Sequence, residues 1–264
     1  MTYIPPKYTP ELASPPFPVA RGMTGPAVRR LQEWLTLWGY VTGCDGDFGP
    51  ATEQALKNFK WEQIVKQGDR SRIDGSVDDT VWNTLLMPIH RATAMPSIVD
   101  SKHFGQNVTR VARQYLVERA REAGGDNRGP WQRHFARGRE NQPWCQDFAS
   151  TVWFDAARAQ QLSTLPFALC DSNNTPNSYV PWVVLQAKAA AKFRPAEDPA
   201  LVPPGSMFFL RSGASWSHVG IVVTDDGTVV QTIEGNTNAG GSPNGYEVAS
   251  RTRARSSCDF GLSE

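Results

Sequence analysis

A chain of 264 residues, 40% hydrophobic and 20% charged, is globular and long enough for one large domain or two smaller ones. Its 27 basic and 26 acidic residues nearly cancel, which leaves no electrostatic footprint for nucleic acid or a lipid surface. Four cysteines, Cys44, Cys145, Cys170 and Cys258, lie far apart without a C-x-x-C pair, which argues against a zinc site or a disulfide framework.

The N-terminal stretch MTYIPPKYTPELASPPFPVA carries six prolines and no apolar h-region, so it does not read as a Sec signal peptide. Residues 1–21 are taken as an extended arm, because proline fixes φ and removes backbone donors. A disordered leader and a strap packed on the first domain are both open. No stretch approaches the ~18 to 20 apolar residues of a membrane span. The expectation is a chain made in the cytoplasm that reaches any other compartment by a separate route.

From Gly22 a helical period sets in: Val28, Leu31, Leu35 and Trp38 recur at three- and four-residue steps. Gly39 ends that helix and TGCDGDFGPAT follows as a turn. Thr52 is placed to cap a second helix with Ala55, Leu56 and Phe59 on its inner face. RIDGSVDDTVWNTL then repeats the theme: Asp45-Gly46 to Leu56 and Asp74-Gly75 to Leu85 share one spacing, the mark of a duplicated turn-plus-helix unit. Each Asp-Gly suits a tight turn. The result is an all-α three-helix unit over 22–87, with Trp34, Trp38 and Trp82 read as core.

The runs GMTGPAVRRLQEWL, DGDFGPATEQALKNF and DGSVDDTVWNTL, in that order, resemble the three-helix peptidoglycan-binding domain of cell-wall hydrolases. The sequence departs from that pattern at KNFKWEQ and at the longer polar stretch KQGDRSR. Bacterial peptidoglycan is the partner this resemblance implies. Residues 88–106 have no sustained period and hold two prolines, which reads as a linker.

A second domain is expected over 107–264. It opens with a helix from Val108 to Ala123, one side formed by Val108, Val111, Ala112, Tyr115, Leu116 and Arg119, stopped by Gly124-Gly125. In NQPWCQDFASTVWF, Asn141, Gln142 and Pro143 are turn and helix-start residues, while Phe148, Val152 and Phe154 begin an apolar face. The helix therefore starts beside Cys145. There the positive end of its dipole favours a thiolate, and unpartnered backbone N–H groups can face an oxyanion. The Cys145 N–H is one expected donor and Gln142 a candidate for the second.

Downstream, PPGSMFFLRS reads as a turn and a short strand, and SWSHVGIVVTDDGTVVQTIEGN as a β-hairpin. His218 and Glu234 stand at equal distances from the turn, which makes them cross-strand neighbours. Asn236 is expected on the same face. Taken singly, a strand-start histidine and a strand-end glutamate are ordinary residues. Together with Cys145 they supply nucleophile, base and orienting group for thiol acyl transfer. The sequence NTNAGGSPNG follows as a glycine-rich loop.

The ordered motifs PWCQDFASTVW, PGSMFFL, SHVGIVV and TIEGNTN resemble the CHAP family, the cysteine, histidine-dependent amidohydrolases/peptidases. The resemblance implies an α+β papain-like fold with an antiparallel sheet; no cofactor and no metal are expected. It implies Cys145 as nucleophile, His218 as base and then acid, Glu234 as orienter and Asn236 as an auxiliary polar group. Trp144, Gln142 and Trp216 are taken as substrate-binding. Ser206 stands where the family often has an acidic residue, Asp147 reads as a first-turn helix charge, and the calcium loop of some relatives has no clear match. A Cys170–Cys258 disulfide stays open. Together the two domains imply a peptidoglycan amidase or endopeptidase acting in the periplasm or cell wall. It would serve as an endolysin or as a secreted antibacterial effector, the latter with an immunity protein as partner. A wall-binding protein with a decayed hydrolase domain and an amidase of small thiol–polyamine conjugates are the alternatives.

Overall fold

The computed structural model describes residues 3–64, 73–96, 99–238, 240 and 245–264. The stretch KQGDRSR and most of the glycine-rich loop after Asn238 lie outside the described residues. The chain forms two compact units, one of residues 8–91 and 121–141, the other of 1–7, 92–120 and 142–264. These cut across the boundaries expected from the sequence.

In the smaller unit, helices α1 (Pro26–Leu37), α2 (Pro50–Gln63), α3 (Asp79–Leu85) and α4 (Met87–Ala92, to its penultimate residue) follow in order. The helical period of α1 buries Val28, Leu31, Trp34 and Leu35, and Trp82 of α3 is equally buried. Trp38 is only partly buried, donating from its indole to the Leu85 carbonyl at 2.9 Å and meeting Phe59 edge-on. Helix α1 stops after Leu37, where the Gly39 and Tyr40 N–H groups bond back to the Thr36 and Leu35 carbonyls.

Both Asp-Gly turns work as the repeat suggests. Asp45 accepts from the Asp47 N–H at 2.9 Å and Asp74 from the Ser76 N–H at 3.3 Å. Thr52 is not a cap. Helix α2 begins at Pro50, and Thr52 sits inside it, accepting from the buried Gln32 amide, which also binds Asp45 and the Asp47 carbonyl. Competition from this buried amide, rather than the local N-cap preference, decides its partner. Asp78 does cap α3, through the Val81 N–H at 2.8 Å.

The proline-rich arm is a strap from Tyr8 onward. Its strand β1 (Val19–Ala20) pairs with β2 (Ser76–Val77), Val19 is fully buried, and Arg30 donates to the carbonyls of Pro10, Glu11 and Ala13. The linker expected over 88–106 instead contains most of α4 and the start of α5. Residues 121–141, assigned from sequence to the second domain, pack here through the short helix α6 (Pro130–Phe135). Trp131 meets Trp34 edge-on at 5.9 Å, and Arg133 pairs with Glu11, Glu33 and Glu140.

The larger unit is α+β. Helices α5 (Phe104–Val117), α7 (Cys145–Ala159) and α8 (Val180–Ala189) accompany a six-stranded antiparallel sheet. Its strands are β3 (Phe193–Arg194), β4 (Met207–Ser212), β5 (Ser215–Asp225), β6 (Val229–Thr237), β7 (Glu247–Ala254) and β8 (Cys258–Gly261), in the order β3-β8-β4-β5-β6-β7. Helix α5 ends at Val117, short of the expected Ala123. Arg119 turns left-handed there (φ 52°), and the Ala120 N–H closes back on the Tyr115 carbonyl before any glycine is reached. No cysteine is in a disulfide. Cys258 is buried in the sheet among Val202, Phe208 and Val222, whereas Cys170 sits in a loop near the Tyr3 carbonyl, so the Cys170–Cys258 bridge does not form.

Candidate active site

Cys145 is the first residue of α7, and Trp144, the residue before it, offers no side-chain cap to the helix. The turn residues ahead of it end the preceding segment, and the apolar face of Phe148, Val152 and Phe154 commits the next fifteen residues to a buried helix. The N–H groups of the first turn are thus left without intrahelical acceptors. Gln142 is half-buried, and its amide nitrogen is enclosed with no protein hydrogen-bond partner.

Strands β5 and β6 bring the base and the carboxylate together, but not by direct opposition. Ile221 faces Ile233 and Val222 faces Thr232, after a bulge near Thr224. Continuing that register sets Gly220, not His218, level with Glu234. The hairpin closes with Asp225 opposite Val230, further along β6 than the turn suggests, and the extra residue at the bulge recovers only one position of that offset. The Glu234 side chain crosses Gly220 to reach His218, with Oε2 to Nε2 at 2.9 Å and both residues fully buried. A Cβ on Gly220 would stand 2.9 Å from Glu234 Cγ and 2.8 Å from the Phe208 ring, so only glycine leaves this path open.

Burial disfavours a charged His218, but interaction with Cys145 and with Glu234 outweighs it and raises the imidazole to about 9. Nε2 is engaged by Glu234, which leaves the buried Nδ1 to face the Cys145 thiol that acts on the ring. For Glu234, burial acts to raise the carboxyl, yet donors from Arg253, His218 and Thr232 hold it down to about 2. Thr232 Oγ1 donates to Oε1 at 2.6 Å, and Arg253 donates Nε to Oε1 at 2.9 Å and Nη2 to Oε2 at 2.5 Å. Sequence reading missed both residues. Thr232 carries a usable signal, since it precedes Glu234 by two on one strand and so shares its face. Arg253 carries none until the β6–β7 pairing is known.

The remaining expected site residues separate. Asn236 adopts a left-handed conformation (φ 54°) at a register shift, so simple alternation does not carry its side chain onto the face of Glu234. Its side-chain oxygen accepts from the Trp144 N–H at 3.0 Å, fastening the residue before Cys145. Trp144 is fully buried and therefore supports the helix start rather than a ligand. Its ring and Phe148 lie where a Cβ of residue 235 would be, at 2.8 and 2.6 Å, so Gly235 is what lets α7 approach β6 this closely. Trp216 belongs to a different cluster. Its indole donates to Asp259 at 2.8 Å, and it packs with Phe193 under Lys188. Asp147 is a buried first-turn residue bonded by Ser178 at 2.6 Å, and Ser206 bonds with Ser263.

The structure therefore brings Cys145, His218 and Glu234 into one buried constellation, with Asn236 at its backbone support. Such a set can move a proton between sulfur and imidazole while a carboxylate holds the ring.

Residues 24–65 match the family model described as a putative peptidoglycan binding domain. No curated protein matches the chain, and no solved structure does. The matched segment comprises α1, the Asp45-Gly46 turn and α2, so the part of the chain similar to a peptidoglycan-binding domain is helical and lies in the smaller unit. Among the described residues no helix is long and apolar enough to cross a membrane.

Proposed function

We propose that the chain is a peptidoglycan hydrolase that cleaves amide bonds of the wall peptide through a thioester on Cys145. The observation that carries this reading is the buried His218–Glu234 pair acting with the cysteine at the start of α7. The papain-like character implied by the CHAP motifs agrees with this arrangement of helix and antiparallel sheet.

In the proposed reaction His218 Nδ1 holds the proton that the thiol has given up, and Sγ attacks the carbonyl carbon of the scissile amide. The Cys145 N–H and the Gln142 amide face the developing oxyanion. His218 then gives its proton to the leaving amine and the thioester forms. A water, deprotonated by the same imidazole, attacks the thioester carbon and returns the thiol. Glu234 stays ionised throughout and keeps the ring oriented. The wall-binding domain raises the local concentration of substrate without touching the chemistry.

Purified sacculi and defined muropeptides test this. Cleavage should release peptide from glycan if the bond is the lactyl amide, or shortened peptides if it is internal, and mass spectrometry distinguishes them. Wall that stays intact, together with no selective alkylation of Cys145, would instead identify a binding protein whose hydrolase domain has decayed. Cleavage of a thiol–polyamine conjugate in preference to muropeptides would assign the amidase alternative. Genes for a holin or for an immunity protein beside this one would separate endolysin from secreted effector.

A further inference from the structure

We propose that Arg253, assisted by Thr232, is a positioning residue of this site, holding the Glu234 carboxylate in the orientation that presents Oε2 to His218. The inference rests on the hydrolase reading and adds the device that keeps its orienting group in place.

Glu234 has three side-chain torsions, the last of which rotates the carboxylate, so a single bond to an imidazole does not fix it. Arg253 spans both oxygens, Nε on Oε1 at 2.9 Å and Nη2 on Oε2 at 2.5 Å. Such a fork sets the plane of the carboxylate as well as its place. Thr232 Oγ1 at 2.6 Å occupies Oε1 a second time, so the remaining direction at Oε2 is the one His218 Nε2 uses. All four residues come from three adjacent strands: β5 gives His218, β6 gives Thr232 and Glu234, and β7 gives Arg253. Glu234 is fully buried whereas the Arg253 side chain keeps 14% of its surface, so the cation sits at the rim and the anion inside.

Charge follows from the same geometry. The ionisable groups acting on Glu234 and its neighbours are His218 from β5, Arg253 from β7, Cys145 from α7 through His218, and Cys258 from β8. Burial pushes the Cys258 thiol up to about 11, so it is neutral at working pH. Arg253 is the permanently charged member, and it lets Glu234 remain a carboxylate while His218 changes protonation. Arg253 acts on the reaction through Glu234.

The test is a double-mutant cycle in the full chain, read as muropeptide cleavage and as iodoacetamide alkylation mapped to Cys145. Arg253→Met should lower kcat about tenfold with KM unchanged, and slow Cys145 alkylation at neutral pH in parallel. Arg253→Lys, which keeps the charge without the fork, should recover part of the loss. In a Glu234→Gln background Arg253→Met should cost nothing further, because its route of action is already gone. Losses that add in the double variant would overturn the role of Arg253. Should Arg253→Met fail to fold by circular dichroism, the cycle runs with Arg253→Lys and Thr232→Val, each expected to lose a few-fold in kcat that Glu234→Gln abolishes. A wild-type chain that neither cleaves wall nor alkylates selectively at Cys145 would overturn the hydrolase reading itself. That outcome differs from an active wild type with additive losses.

Discussion

Cys145 is nearly enclosed, and its position at the first residue of α7 is the part of the site that a single substitution interrogates most directly. Cys145→Ala should leave folding intact and lower wall cleavage by roughly 10⁴-fold or more, measured as release of soluble muropeptides. His218 sets the alkaline behaviour. Its imidazolium is favoured up to about 9, so the stabilising interaction is complete below the ordinary imidazole range near 6.5 and is lost as pH rises through about 9. Cleavage should fall over that same window, and Glu234→Gln should move the fall to lower pH, since it removes a group that raises the ring. Glu234 has the opposite sign. Its contribution is present above the usual carboxyl range and is lost only as pH falls through about 2, so it does not titrate in any ordinary assay. A profile whose alkaline limb ignores Glu234→Gln would contradict the pairing.

At the scale of elements, two glycines decide whether helix and strands meet at the required distance. Gly220→Ala places a methyl against Glu234 Cγ and the Phe208 ring, and Gly235→Ala drives one into Phe148 and Trp144. Each should cost about 1 to 3 kcal/mol by overpacking, read from urea unfolding. Gly220→Ala should also depress activity beyond its effect on stability, because it blocks the path of the carboxylate to His218. The hairpin itself was legible: the apolar, β-branched runs SHVGIVV and TVVQTIEG on either side of the Asp226-Gly227 turn place β5 and β6. Its register was not. The hairpin loop closes at Asp225 and Val230, the bulge before Thr224 recovers one position of the resulting offset, and Glu234 reaches His218 diagonally across Gly220. Asn236 eluded the same reasoning, since a left-handed residue interrupts the period-two rule on which the reading relied.

For the whole molecule, the wall-binding match lies in a unit that draws on two separated parts of the chain. Glu33 is fully buried, Glu11 almost so, and Arg133 from the second part joins both to Glu140. Arg133→Met leaves buried carboxylates short of a partner and should destabilise the smaller unit by about 3 kcal/mol, seen as an earlier urea transition. Deleting residues 1–90 is therefore not a clean removal of the binding domain. It would strip Trp131 of its Trp34 contact and Arg133 of Glu11 and Glu33, and the product should aggregate rather than act as a free hydrolase. Light scattering of the truncated protein checks this, and a monodisperse, active truncation would disprove it.

Local chemistry was enough to identify the turn-and-helix repeat, the cysteine at a helix start, the hairpin bearing His218 and Glu234, and the core role of Trp34 and Trp82. Each depends on period, caps or turns, which act over a few residues. What only the tertiary structure decided were contacts made across long separations. Residues 121–141 join the smaller unit because Trp131 and Arg133 find partners about a hundred residues upstream. Trp144 and Trp216 leave the expected ligand surface because packing against Gly235 and bonding to Asp259 claim them. Arg253 enters the site because strand pairing carries its guanidinium to a buried carboxylate nineteen positions earlier. A buried charge selects its partner by desolvation and geometry in three dimensions, and neither is encoded in spacing along the chain.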